Sequence, residues 1–102
     1  MYKVFFSWAA QEDLNDIMDD YDSKKPKSGL AFFAKLDKVL VLLEANPHVY
    51  AKKILHFRRA FIKKSPFVVY YQIIETDKDV EILTILHNKR GGDFIRRKLK
   101  LK

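Results

Sequence analysis

The chain has 102 residues, 48% of them hydrophobic and 14% aromatic, and a formal net charge of +7. That length suits a single domain, residues 1–102, and that apolar share suits a packed core rather than a disordered chain. The absence of cysteine excludes a disulfide scaffold, a thiol nucleophile and a Cys-ligated zinc or iron–sulfur site.

Tyr2 to Phe6 is a short run of valine and aromatics and predicts a strand. Ser7 follows as an N-cap, with Glu12 and Asp13 towards the positive end of the helix it starts. Leu14, Ile17, Met18 and Tyr21 recur at i, i+3, i+4 and i+7, one apolar stripe with the acids on the other face. This helix should end near Asp22, before a polar loop over 23–29 that contains Pro26. A second helix is predicted from Pro26 or Ser28 to Ala45. Its main stripe is Phe33, Leu36, Leu40 and Leu43, widened by Phe32, Val39 and Leu42. Asn46-Pro47 stops it, because proline lacks the donor and the residue before it avoids helical geometry.

The second half reads as strands. His56 to Lys63 alternates loosely, and Ser65-Pro66 marks a turn. Phe67 to Glu75 is almost all β-branched or aromatic and is the strongest strand signal in the chain. A turn over 76–79 joins it to Val80–His87 as a hairpin. Gly91-Gly92 then breaks the pattern before a basic tail, residues 93–102. Strand, helix, helix and three strands predict an α+β fold, a helical hairpin packed on one face of an antiparallel sheet. Phe94, Ile95 and Leu99 can make one amphipathic turn on that sheet or stay loose until a partner orders them.

The charge is uneven. Residues 1–22 hold one base, Lys3, against six acids, a net of −5. The remainder holds 19 bases against seven acids, a net of +12. Lys52, Lys53, Arg58, Arg59, Lys63 and Lys64 stand together without an acid. The last nine residues add Arg96, Arg97, Lys98, Lys100 and Lys102, again without one. Such a surface attracts polyanions or an acidic partner in a salt-dependent way. The plainer reading is a solubility tail with exposed strand charges. No apolar run reaches the roughly 18 residues of a membrane span, and Met1 to Trp8 lacks the long apolar core of a signal peptide. The expectation is a cytoplasmic protein with no membrane partner.

Candidate chemistry is sparse. His48, His56 and His87 form no His-x-x-x-His pair and have no acids clustered with them, so no metal site is expected. There is no glycine-rich phosphate loop and no nucleophile elbow, so no cofactor is expected either. The acids of the first helix read as a solvated face rather than a paired-carboxylate site. A basic and aromatic cluster remains: Arg58, Arg59, Lys63, Lys64, Tyr70, Tyr71 and the run Leu86-His87-Asn88-Lys89-Arg90. Metal-free RNA cleavage needs a base for the 2′-hydroxyl, an acid for the leaving oxygen and cations on the phosphorane, and these residue types supply them. Strand alternation, however, aims Tyr70 and Tyr71 at opposite sheet faces. His87 has a second reading, a structural hydrogen bond tying the loop to the sheet.

The order of these pieces resembles the RelE/ParE toxin family of bacterial type II toxin–antitoxin systems, and more closely its ParE (plasmid stabilisation) branch. The resemblance rests on the opening strand, a helix with Ala10, Asp13, Leu14, Ile17 and Tyr21, and a second helix with Phe33 and Leu36 that ends at Asn46-Pro47. It continues through Arg58-Arg59-Ala60-Phe61, Ser65-Pro66-Phe67-Val68-Val69-Tyr70-Tyr71 and Ile82 to Arg90. It implies a growth-inhibiting toxin in a hetero-oligomer with a cognate antitoxin, whose acidic amphipathic segment wraps around it. In the RelE branch the target is mRNA in the ribosome; the ParE branch is associated with inhibition of DNA gyrase. An arginine that the ribonuclease branch often carries early in the third strand is missing from Pro66-Phe67-Val68. Ser65-Pro66-Phe67 stands where the family often has Phe-Pro-Tyr.

The leading expectation is therefore a ParE-like toxin acting by binding. Target or antitoxin contacts are expected at Arg58, Arg59, Lys63, Lys64, His87, Lys89, Arg90, Arg96, Arg97 and Lys98. The alternative is a metal-independent endoribonuclease with His87 as acid or base and Arg58 and Arg90 on the phosphate. A third possibility is a degenerate member that only binds an antitoxin.

Overall fold

A computed structural model describes residues 1–101; Lys102, the last residue of the expected basic tail, lies outside the described residues. The elements in chain order are β1 (Lys3–Phe6), α1 (Trp8–Lys24), α2 (Ser28–Ala45), β2 (Lys52–Ile54), β3 (Phe57–Phe61), β4 (Phe67–Ile74), β5 (Asp79–His87) and α3 (Gly92–Lys98). The fold is α+β, with one five-stranded sheet in the order β1-β5-β4-β3-β2.

Ser7 begins α1 as expected: its Oγ accepts the Ala10 N–H at 3.1 Å, and its hydroxyl donates to the Leu83 carbonyl at 3.0 Å. One side chain thus caps the helix and ties it to β5. The first turn carries no acid; Glu12 and Asp13 come a turn later, and Asp13 is used otherwise. The hairpin between the helices is held by α1 itself. The Asp22 carboxylate accepts the Gly29 N–H at 2.8 Å, supplying the cap that Lys27, at the N-cap position, does not. A Cβ at Gly29 would lie 2.8 Å from the Met18 carbonyl oxygen and 2.9 Å from the Asp22 carboxylate. Gly29→Ala should therefore push the helices apart and cost about 1–3 kcal/mol, the usual range for overpacking, read as a lower midpoint in urea unfolding.

The core stripe of α2 differs from the expected one by a small rotation. Phe32, Leu36, Val39 and Leu43 are buried, while Phe33 and Leu42 stay 37% and 39% exposed. Both stripes fit helical spacing; the sheet beneath decides between them. That face of the sheet contributes Val69, Tyr71, Val80, Ile82 and Ile85 to the same core as Ala10 and Leu14 of α1. Both helices of the hairpin thus pack on one sheet face.

The sheet is mixed where a fully antiparallel one was expected. β1 runs parallel to β5, pairing Lys3–Phe6 with Asp79–Ile82, and the other pairs are antiparallel. Two helices and three strands lie between β1 and β5 in the chain, so local pattern could not fix the sense of their pairing. β2 is an additional edge strand of three residues, two of them exposed lysines, too short and polar to show in the sequence. Between β4 and β5 the register shifts: Tyr70 faces Thr84, but Tyr71 faces Ile82, leaving Leu83 as an extra residue. Beyond this bulge β1 has ended, and the outer edge of β5 passes to α1.

The second face of the sheet carries its own core. Val68, Tyr70 and Leu86 pack with Ile95 of α3, flanked by Ile54, Phe94 and Leu99. The glycine pair and basic tail thus fold back as a short helix, the ordered alternative of the two open for Phe94, Ile95 and Leu99. Tyr70 and Tyr71 do lie in different cores, one on each face.

Candidate functional site

Two basic regions emerge, one on each side of β4. The first forms where β5 runs into α3. His87 is paired in register with Phe67 of β4, their rings edge to face at 5.6 Å. Its Nδ1 lies 3.2 Å from the Lys89 N–H, and its carbonyl accepts the Arg90 N–H at 3.1 Å. The Asn88 N–H donates to the Pro66 carbonyl at 2.8 Å. His87 therefore ties the loop to the sheet, and one ring nitrogen is occupied in doing so. The Arg90 guanidinium stacks over the Phe94 ring at 4.4 Å, with that of Arg97 at 5.8 Å. Phe94 thus holds two cations at the surface, while Ile95 and Leu99 anchor the helix below. Lys89, Arg90 and Arg97 are exposed and Arg96 half-buried. A cleft of about 390 Å³ is lined by Phe67, His87, Lys89 and Arg90.

Lys98 is engaged differently. Its Nζ lies 3.0 Å from Asp13 Oδ1. Asp13 Oδ2 accepts the Thr84 hydroxyl at 2.5 Å and the Ile85 N–H at 3.1 Å. The carboxylate thus occupies the edge of β5 that β1 leaves open, and it joins α1, β5 and α3. The expected solvated acid face does not include this residue, whose side chain is only 14% exposed. The sequence held a signal for it: Asp13 lies between Ala10 and Ile17 at i+3 and i−4, on the apolar stripe.

The second region lies across β4, along β3 and the β3–β4 turn. Arg58 Nη1 donates to the Tyr50 carbonyl at 2.7 Å. The Arg59 guanidinium sits 4.9 Å from the Phe61 ring centroid. Lys63 and Lys64 occupy the exposed β3–β4 turn, and Lys35 of α2 donates to the Lys64 carbonyl at 3.1 Å. Along β4, Arg58 is opposite Tyr71 and His87 opposite Phe67. Four residues of strand separate those positions by about 13 Å, and the partners flank β4 on opposite sides. The structure brings His87 and Arg90 together and does not bring Arg58 to them.

Neither strand tyrosine adds to a site. Tyr70 is fully buried and its hydroxyl has no protein partner. The Tyr71 hydroxyl donates to the Pro47 carbonyl at 2.6 Å. Burial pushes its pKa up from 10.0 to about 12, against the lowering charge of Arg58. Because the folded value lies above the unfolded one, Tyr71's contribution to stability is complete below pH 10 and is lost as pH rises through 12. Urea titrations from pH 8 to 12 should show that loss in the wild type and a smaller one in Tyr71→Phe. At neutral pH that variant should itself cost about 1–2 kcal/mol, because the Pro47 carbonyl loses its donor. Among the described residues, no three His, Asp or Glu side chains are placed to hold a metal ion, and no helix is long and apolar enough to cross a membrane.

This arrangement, a helical hairpin on one face of a small mixed sheet, superposes on chains of solved toxin–antitoxin structures. The chain superposes on a chain of the chromosomal ParDE toxin–antitoxin system from P. aeruginosa with a TM-score of 0.73 at 20% identity, over 85% of this chain and 96% of that one. It superposes on a chain of the intact E. coli RelBE toxin–antitoxin complex with a TM-score of 0.63 at 17% identity, over 88% and 100%. The isolated E. coli RelE toxin gives 0.63 at 16% identity, over 98% of both chains. Comparison with curated protein sequences gives no match. The family model for the ParE toxin of the type II toxin–antitoxin system parDE matches residues 4–91, and the chain belongs to that family.

Proposed function

We propose that the chain is the toxin of a type II pair that arrests growth by holding a macromolecular target, DNA gyrase, rather than by cutting RNA. A cognate antitoxin with an acidic amphipathic segment would keep it in check in the cytoplasm. The observation that carries this reading is the separation of the candidate catalytic groups. Arg58 is tied to Tyr50 on one side of β4, and His87, on the other side and four residues along the strand, spends a nitrogen on the Lys89 N–H. What stands at the surface is a set of cations, Lys89, Arg90 and Arg97, suited to docking on an acidic surface. The ribosome-dependent nuclease is the second reading, favoured by the cleft that His87 shares with Arg90.

Induced expression in a bacterial host tests the proposal. Growth should stop and should recover when the product of the adjacent reading frame is co-expressed. Unaltered growth would leave a family member that only binds its antitoxin.

A further inference from the structure

We infer that the tip of the β2–β3 hairpin is an anchor that inserts Leu55 into an apolar pocket, edged by carboxylates, on the target protein. The inference rests on the reading above that the chain acts by holding DNA gyrase, and it assigns one contact within that docking surface. Ile54 pairs with Phe57, so Leu55 and His56 form a two-residue loop. The φ of Leu55 is 52°, in the left-handed region where loops of this length take Gly, Asn or Asp. A leucine there is strained, and packing does not offset the strain, because the side chain is 67% exposed. Strain held with no gain in packing points to a use outside folding.

The tip has a rigid base. Gln72 Nε2 donates to Glu81 Oε1 at 2.8 Å, which leaves Gln72 Oε1 to accept from His56 Nε2 at 2.9 Å. The His56 ring also lies 4.1 Å from the ring of buried Phe57. With its loop neighbour fixed in this way, Leu55 loses little freedom on binding. The surroundings select the partner. Gln72 shares a face of β4 with Tyr70 by alternation, and Ile54 packs against the core of Tyr70, as do Phe94 and Leu99. The tip therefore stands on the sheet face that carries α3 and the Arg90 and Arg97 cations held on Phe94. Lys52 and Lys53 are exposed on the strand leading into it. An apolar anchor among cations fits an apolar pocket with an acidic rim. A nucleic acid backbone would pair with the cations and leave Leu55 in water.

Binding of the purified full chain to immobilised DNA gyrase holoenzyme tests the inference, together with growth arrest on induction. Leu55→Gly removes the anchor and suits the backbone, so its thermal midpoint should hold or rise. Its affinity for gyrase should fall roughly tenfold or more, and growth arrest should weaken. Leu55→Met keeps an apolar side chain and should retain most of the binding. Lys52→Glu/Lys53→Glu should weaken binding most at low salt. Equal gyrase binding by wild type and Leu55→Gly would overturn the inference. So would a lower thermal midpoint in Leu55→Gly, which would make Leu55 a residue of folding. So too would a variant that binds gyrase normally but no longer co-purifies with the product of the adjacent reading frame, since the tip would then belong to the antitoxin. Failure of the gyrase reading looks different: the wild type itself would not bind gyrase, and the anchor would fall with it.

Discussion

Asp13→Ala is expected to destabilise the chain by about 2–4 kcal/mol, the range for leaving several buried partners of one carboxylate unpaired. Three partners lose their acceptor at once. The Thr84 hydroxyl is fully buried, the Ile85 N–H lies at the sheet edge that β1 does not reach, and Lys98 loses its counter-ion. Of these, the Lys98 pair contributes least, because its side chain is 30% exposed and water screens it. Asp13→Asn keeps an oxygen for Thr84 or Ile85 and should lie between the wild type and Asp13→Ala. Lys98→Ala should cost well under half as much. Urea unfolding of the three variants gives the order. A total stability of roughly 5–15 kcal/mol is usual for a domain of this kind, so Asp13→Ala should also lower the yield of folded protein. Hydrogen exchange should show the α3 amides losing protection first, because Asp13 is what fastens that helix to the helical layer.

Reversing charge at the end of β5 should separate docking from catalysis. Arg90→Glu with Lys89→Glu should remove growth arrest: two reversed charges at an interface weaken binding by about 3 kcal/mol or more, roughly a hundredfold. His87→Asn should keep most of it. An asparagine carbonyl can accept the Lys89 N–H where Nδ1 now does, so the loop stays tied, but an amide transfers no proton. In a nuclease using His87 as acid or base the same change should remove activity, since proton transfer contributes about 10²–10⁴-fold. Colony counts after induction of the matched variants, with expression levels checked, decide between them.

Much of this architecture was legible in the chain. Ser7 and Asn46-Pro47 bound the helical hairpin through caps and proline geometry, which are local effects. Phe67 to Glu75 announced a strand by composition alone, and the strand formed is Phe67–Ile74. What escaped were choices made by tertiary packing. Phe32 and Phe33 are adjacent, and either could have faced the sheet; Phe32 does. The parallel pairing of β1 with β5 escaped because two helices and three strands lie between them and leave the sense open. β2 escaped because a Lys-Lys-Ile strand has no inward stripe. Of the candidate site residues, His87 and Arg90 came together as neighbours in sequence. Arg58 shares their charge but not their side of β4. Lys98 was expected at a partner surface and is ion-paired with Asp13, a link spanning 85 residues that no local pattern encodes. Lys35 and Lys38 of α2 reach the Lys63–Lys64 turn only because the hairpin packs above it.

The central claim is that the chain arrests growth by binding gyrase and leaves message intact. Parallel readings on one induced culture test it directly: plasmid supercoiling on chloroquine gels, and mRNA 5′ ends mapped across the transcriptome. The account predicts a loss of negative supercoiling with DNA-damage signalling and an unchanged pattern of mRNA ends. New codon-phased cuts that disappear in His87→Asn, with supercoiling intact, would contradict it.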